Sequence, residues 1–319
     1  MAQIALLKYS GRLPCKLVCT ALQRDYGLQI TPATVLAVNS RVTRVLESDY
    51  AAIIERIRRA RVLYIDETGF RVAGVKFWLW IFTTENETLV VIRQSREKKV
   101  LREVLGERFD GIIVCDGHKA YANYAQNIQR CWAHLLRQAE FASEKTAEAK
   151  PFYEALRALY WRLVYALEAN PPMKERLRLW RNAMQVLNYW IFKKWVEKDT
   201  LKAVGYLRNG LKHWLTFVLV VGVEPTNNRA ERALREHVVL RKIIGGLRSG
   251  GGVRSHEVIT SVLATWRQSG AGGGVNLRER LTNALRESFY VKRPPLSKHF
   301  KPPAFLMSSM GEGLRDVLL

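Results

Sequence analysis

Val62-Leu63-Tyr64-Ile65-Asp66 and, 50 residues further on, Ile112-Ile113-Val114-Cys115-Asp116 share one pattern: four apolar residues followed at once by an aspartate. Short apolar runs of this kind are buried strands. If the two strands are neighbours in one sheet, their ends bring Asp66 and Asp116 to the same edge. Two carboxylates so placed, with a third nearby, hold two divalent cations about 3.5–4 Å apart, an arrangement suited to attack on a phosphodiester. Oxygen ligands and an octahedral, partly hydrated ion select magnesium or manganese. Aspartates after strands also serve as turn formers, so the pair needs a third carboxylate before it means chemistry.

Outward from these strands the pattern is that of a mixed sheet with helices on its faces. Phe77 to Thr84 and Thr88 to Gln94 are two further strands around Glu85-Asn86-Glu87, Gly74 marks a turn before them, and Ile128 to Trp132 is a fifth strand. Ser95 caps a helix from Arg96 to about Glu107. Three meandering strands, a helix, a strand and a shorter strand define an α/β chain of the α+β, mixed-sheet kind. Upstream, residues 1–60 are helical in pattern. One helix runs from about Pro14 to Tyr26 and stops at Gly27, and Thr31-Pro32 opens a second through about Leu46. Ser48 caps a third, Asp49 to Ala60, which ends in Arg56, Arg58, Arg59 and Arg61. The first two fit a helix-turn-helix whose second helix would present Thr34, Asn39, Arg41 and Arg44 to DNA; an ordinary helical hairpin fits as well.

The third carboxylate comes from Glu224-Pro225-Thr226-Asn227-Asn228-Arg229-Ala230-Glu231-Arg232-Ala233-Leu234-Arg235. Thr226 or Asn227 can cap a helix in which Ala230, Ala233, Leu234, His237 and Val238 recur as an inward face. Glu231 lies beside that face in the first turns, where the helix dipole favours a carboxylate. Its plain alternative is an i,i+4 ion pair with Arg235. Glu224 precedes a proline and belongs to the extended lead-in. Glu67 follows Asp66 in extended chain and so points to the opposite face.

From His134 to about Val221 the pattern is again helical, broken at Pro151 and Pro171-Pro172, and it carries Trp161, Trp180, Trp190, Trp195 and Trp214. These rings either stack on unpaired bases or fill a helical core. The chain thus divides into a helical region 1–60, a sheet-bearing core of 61–135 with 222–270, a helical insertion 136–221 and a basic arm 271–319. The arm holds Gly272-Gly273-Gly274, Pro294-Pro295 and Pro302-Pro303, with one short helix. A further helix runs from about His256 to Gln268.

Lys and Arg total 51 against 29 Asp and Glu, a formal net charge of +22 over 319 residues. The excess is spread along a chain with 9 Trp and 12 Tyr rather than packed into a tail. That points to nucleic acid, whose phosphates release counterions on binding; a ribosomal-type or membrane-surface protein is the alternative. Four cysteines, none in a CxxC pair, give neither a disulfide framework nor a cysteine-rich zinc module. The start has no secretory layout, and the longest apolar run, Trp214 to Val223, is about half a membrane span. A cytoplasmic, nucleoid-associated protein with no membrane partner is expected. Gly250-Gly251-Gly252 lacks the order of an ATP-binding loop. Cys131-Trp132-Ala133-His134 offers two zinc ligands, but no second pair lies at suitable spacing. His134, near the sheet edge, is read instead as a contact to phosphate or to the attacking water, or as packing.

Several ordered motifs carry a family likeness. Tyr64-Ile65-Asp66-Glu67-Thr68-Gly69-Phe70, Phe77-Trp78-Leu79-Trp80, Asp116-Gly117 with Tyr121, Cys131-Trp132-Ala133-His134-Leu135, and Glu224-Pro225-Thr226-Asn227-Asn228 with Ala230-Glu231-Arg232-Ala233 resemble the insertion-sequence-66 family of DDE transposases. Gly245-Gly246, Arg248-Ser249, Gly252 and His256-Glu257 continue the likeness, which runs from about residue 60 to 270. It implies a ribonuclease-H-like core with Asp66, Asp116 and Glu231 as a metal-binding triad. It also implies a helical insertion ahead of the glutamate helix, and 115 residues separate Asp116 from Glu231. The implied activity is cleavage of DNA at transposon ends and joining to target DNA, by a homodimer that holds both ends. Arg235, Arg241 and Lys242 would clamp phosphates. A related nuclease or resolvase, and a non-catalytic DNA-binding remnant of a transposable element, are the alternatives.

Overall fold

The computed structural model describes residues 1–125, 127–270 and 276–291. Four helices come first: α1 (Ala2–Tyr9), α2 (Cys15–Tyr26), α3 (Pro32–Val45) and α4 (Glu47–Arg58). Strands β1 (Val62–Val72), β2 (Val75–Thr83) and β3 (Thr88–Arg93) follow, then α5 (Lys98–Leu105), β4 (Ile112–Cys115), the short α6 (Lys119–Ala122) and β5 (Ile128–Arg130). Helices α7 (Trp132–Lys145), α8 (Lys150–Glu168), α9 (Met173–Phe192), α10 (Lys198–Asn209) and α11 (Thr216–Leu219) come before α12 (Asn228–Ile244), α13 (Gly250–Ser269) and α14 (Leu277–Val291). The glycine and proline clusters expected in the basic arm lie outside the described residues.

The strands pair in the order β3-β2-β1-β4-β5. β1, β2 and β3 form an antiparallel meander, while β4 pairs parallel to β1 and β5 parallel to β4. The sheet is therefore mixed, as the run of strands and helices predicts. Alternation along each strand feeds two cores. Leu63, Ile65, Trp80, Phe82 and Ile113 pack on one face with residues of α4, α5 and α13. Tyr64, Ile112 and Val114 pack on the other with α7 to α11, and Phe70, Val72, Leu79 and Ile81 lie further along that face beneath Leu234 of α12.

β1 is longer than its apolar run suggests. Its pairing with β4 ends at Tyr64 opposite Val114, but pairing with β2 continues to Val72 opposite Val75. Asp66 therefore stands inside a strand, not past its end. The partner strand keeps the backbone extended where apolar side chains stop.

Helix α13 closes the β3 edge by a side-chain ladder. Glu257 Oε1, Ser261 Oγ and Thr265 Oγ1 accept the main-chain N–H groups of Ile92, Val90 and Thr88 at 2.7, 2.8 and 3.0 Å. Four helical residues rise about 6 Å and two strand residues about 6.6 Å, so the two periods stay in step over three rungs. An edge strand that would otherwise offer free donors is thereby covered.

Other departures from the sequence pattern have local causes. Gly27 ends α2 in the left-handed conformation and Thr31 Oγ1 accepts the N–H of Thr34, as predicted. Ser48 lies inside α4, which starts at Glu47, one residue from the end of α3. Trp132 begins α7 instead of ending β5, because its N–H donates to the Pro225 carbonyl at 3.0 Å. Pro151 sits in the first turn of α8, where a missing N–H is harmless, so the expected break is a helix start. The three glycines Gly250-Gly251-Gly252 open α13, six residues ahead of the expected start, with Ser249 Oγ accepting the Gly252 N–H. Asn39 is buried within α3, whose neighbour Thr43 touches Ser255 Oγ of α13 at 2.9 Å, so it cannot face DNA. Thr34, Arg41 and Arg44 are exposed. Of the five tryptophans, Trp190 and Trp214 are buried and Trp180 and Trp195 pack against them, whereas Trp161 is 46% exposed. Most of this aromatic surface is core.

Candidate active site

The parallel register brings the first two carboxylates to the same end of two neighbouring strands. Tyr64 is the Cα partner of Val114, and two residues further along each chain stand Asp66 and Asp116. Even-numbered positions of β1 and β4 share a face, and adjacent strands lie about 4.8 Å apart. Asp66 Oδ1 accepts the N–H of Glu67 at 2.9 Å, and Asp116 Oδ1 accepts that of His118 at 2.8 Å. After Asp116 the chain turns under α10. A Cβ at Gly117 would come within 2.8 Å of the Tyr206 ring, so glycine is required for that approach. Arg130 donates to the Gly117 carbonyl at 3.0 Å, and its guanidinium lies over Tyr206 and Trp214.

Glu231 arrives on α12, held by its lead-in. The Asn227 side-chain amide donates to the Ile65 carbonyl at 2.9 Å, and the Asn227 main-chain N–H donates to Cys131 Sγ at 3.2 Å. Asn227 occupies the N-cap position, yet its side chain serves β1 and not the helix end. Ala230 packs with the Tyr64 cluster and Leu234 with the Phe70 cluster. The strand and helix thus bridge the same two apolar clusters, and their polar residues Asp66 and Glu231 share the seam between them. Glu231 Oε1 lies 3.7 Å from His134 Nδ1 and 3.6 Å from Arg137. The sequence alternative, a pair with Arg235, does not form.

The two rival glutamates are engaged elsewhere. Glu67 turns to the opposite face, where Arg96 Nε meets its carboxylate at 2.7 Å and the Tyr121 hydroxyl donates to it. Glu224 pairs with Arg229 at 2.7 Å, and its N–H donates to the Tyr64 hydroxyl.

Electrostatically the seam is a cation's environment. Burial, then Glu67, and then Asp116 and Glu231 push the Asp66 carboxyl up to about 7. Asp116 and Glu231 on the same side, and Glu67 behind the strand, each oppose a further negative charge at Asp66, which a cation on the seam would relieve. Burial, and then Arg137, lower His134 below the usual imidazole range. Among the described residues, one set of three possible ligands has all its donor atoms within 4.8 Å, namely Cys131, His134 and Glu231.

The family model described as Transposase IS66 family matches residues 1–255. The chain belongs to the IS66 transposase family. No curated protein matches it. Membership implies transposase function, DNA as partner and dependence on a divalent metal. The match spans Asp66, Asp116 and Glu231 and ends within α13. Among the described residues of this IS66-family chain, no helix is long and apolar enough to cross a membrane.

The structure separates the expected phosphate contacts. Arg235 and Lys242 are exposed on α12. Arg241 is not free: it donates to Thr68 Oγ1 at 3.1 Å and to the Gly69 carbonyl, and so staples α12 to β1. Sequence reasoning missed this use because the partner lies in a distant segment. It missed Arg137 too, one turn beyond His134, although the basic residue after Cys131-Trp132-Ala133-His134 was visible. Arg41 and Arg44 line a cleft with Ala284, Leu285 and Ser288 of α14. Another basic cleft, of about 680 Å³, is lined by Arg58, Arg59, Arg61 and Arg108 at the starts of β1 and β4, the far end of the strands from Asp66 and Asp116.

Proposed function

We propose that this chain is a DDE transposase that cleaves DNA at transposon ends and joins the freed 3′-hydroxyl to target DNA, with Asp66, Asp116 and Glu231 as its triad. One observation carries the reading: parallel register brings the two aspartates to the same end of neighbouring strands while the Asn227–Ile65 bond seats the glutamate helix over the same seam. The sheet order, a three-stranded meander followed by two parallel strands, supports a ribonuclease-H-like core. In this reading residues 61–135 with 222–270 form that core, 136–221 an insertion, 1–60 a DNA-binding region and 271–319 a basic arm.

The donor set suits magnesium or manganese, because three carboxylates supply hard oxygen ligands and the charges around Asp66 oppose its ionisation without a cation. When bound, two such ions polarise the attacking and leaving oxygens. The chain's own groups do the rest. His134, neutral at ordinary pH because burial lowers its proton affinity, orients the attacking water or accepts its proton. Arg235 and Lys242, with Arg41 and Arg44 on α3, neutralise phosphates. A homodimer would hold the two ends together.

Nicking of supercoiled plasmid tests the reading. Magnesium-dependent nicking that EDTA and Asp116→Asn both abolish is the expected result; nicking that persists in EDTA would sink it. Strand transfer from pre-cut ends separates a transposase from a nuclease or resolvase. Duplex affinity should also fall with salt, at a log–log slope of about −0.9 per contacted phosphate, and a flat response would remove DNA as the partner.

A further inference from the structure

Glu231 belongs to a second set of donors. Its Oε1 lies 4.0 Å from Cys131 Sγ and 3.7 Å from His134 Nδ1, and the donor atoms of the three residues fall within 4.8 Å of one another. Cys131 is the N-cap of α7 and His134 is in its first turn, so one helix end presents both. His134 Nδ1 is shielded from solvent and has no hydrogen-bond partner. Cys131 Sγ already accepts the Asn227 main-chain N–H at 3.2 Å, which fixes the sulfur beside Glu231, while burial raises the thiol above its ordinary range.

The spacing can be compared with a tetrahedral ion. Zinc bonds of about 2.3 Å to sulfur, 2.0–2.1 Å to nitrogen and 2.0–2.2 Å to oxygen set S···O and N···O edges of roughly 3.6 and 3.4 Å. The observed 4.0 and 3.7 Å exceed these by a few tenths of an ångström, which side-chain torsions close. Thiolate and imidazole favour zinc over magnesium, which takes oxygen ligands in an octahedron. The Glu231 and His134 side chains are 34% and 32% exposed, leaving the fourth position to water. Arg137, 3.6 Å from Glu231 Oε1, opposes a cation there, but its side chain is 58% exposed and free to swing away.

We propose that Cys131, His134 and Glu231 bind a soft divalent cation of the zinc class, and that its occupancy withdraws Glu231 from the carboxylate triad. The Cys131 thiol releases its proton to solvent as the metal–sulfur bond forms. The inhibitory consequence rests on the triad reading above; the binding does not. A Cys-x-x-His pair alone is half a site, and here the third ligand comes from a helix 100 residues away in sequence.

The full chain, stripped of metal and titrated with Co2+, tests the site. One equivalent should give tetrahedral cobalt absorption with a sulfur-to-cobalt charge-transfer band, bleached by one equivalent of Zn2+. Cys131→Ser should remove that band, and His134→Ala should weaken Zn2+ binding by roughly 100-fold or more, beyond what losing a supporting partner costs. Asp66→Asn should keep both signals, and metal-free thermal melts show that each variant folds. No band in the unaltered protein, or a band that survives Cys131→Ser, overturns the site. In magnesium-driven nicking, Zn2+ should inhibit the unaltered protein well below the concentration needed for Cys131→Ser, each relative to its zinc-free rate. Equal inhibition overturns the sharing of Glu231. Absence of nicking in all samples counts against the triad reading alone, because the cobalt spectrum does not depend on it.

Discussion

The side-chain amide of Asn227 donates to the carbonyl of Ile65, 2.9 Å away and one residue before Asp66. β1 has by then lost β4 as a partner, so this amide stands in for the next rung. It also fixes where α12 begins. Asn227→Ala should cost about 1–3 kcal/mol, the usual range for a buried group left unpaired. It should also slow nicking by roughly 100-fold, since displacements near 1 Å cost that much. Melting and nicking measured on one preparation check this; a lower melting temperature with an unchanged rate would make the bond purely structural.

Asp66 gives a stability–pH dependence of unusual sign. Its carboxyl is pushed up to about 7, chiefly by burial, against an ordinary 3.8. The folded state therefore holds the proton more tightly than the unfolded one. Stability from this group is full below about pH 4 and is lost as pH rises through about 7. Asp66→Asn should remove that loss, so the metal-free variant melts several degrees higher at about pH 8, from a difference on the order of 2–4 kcal/mol. The gap should close toward about pH 4, and magnesium should raise the melting temperature of the unaltered protein only. Identical melting profiles for the two proteins across this range would contradict the assigned burial.

Glu231→Gln should abolish cleavage and joining while leaving fold and DNA binding intact. Glu224→Gln should retain measurable activity, because Glu224 spends its carboxylate on Arg229 in a half-buried ion pair. Parallel nicking and gel-shift assays decide it. Activity surviving at 231 and lost at 224 would overturn the triad.

The β3 edge offers a test unconnected with catalysis. Ser261→Ala leaves the buried N–H of Val90 without its acceptor, at a cost of about 1–3 kcal/mol. Amide exchange at Val90 should accelerate while that of central-strand residues such as Ile81 changes only with global stability. Unchanged protection at Val90 would mean that the rung is not made in solution.

Much of the fold was legible because its signals are local. Four apolar residues before Asp66 and before Asp116, Gly27 after an amphipathic run, and Thr31-Pro32 each act within one turn or one strand. The pleat alone sent Glu67 to the opposite face from Asp66, and Pro225 alone put Glu224 outside the helix. Several roles were not legible, because each depends on which distant segments abut. Arg241 looks like a phosphate clamp until α12 lies along β1 and Thr68 and Gly69 claim it. Asn39 looks like a reading residue until α13 covers that side of α3. Glu257, Ser261 and Thr265 look like scattered polar residues until β3 arrives with matching period. By itself the sequence determined which residues could be strands, caps and acids; only the tertiary structure decided their partners, since a hydrogen bond across 100 or more residues depends on packing that no local pattern encodes.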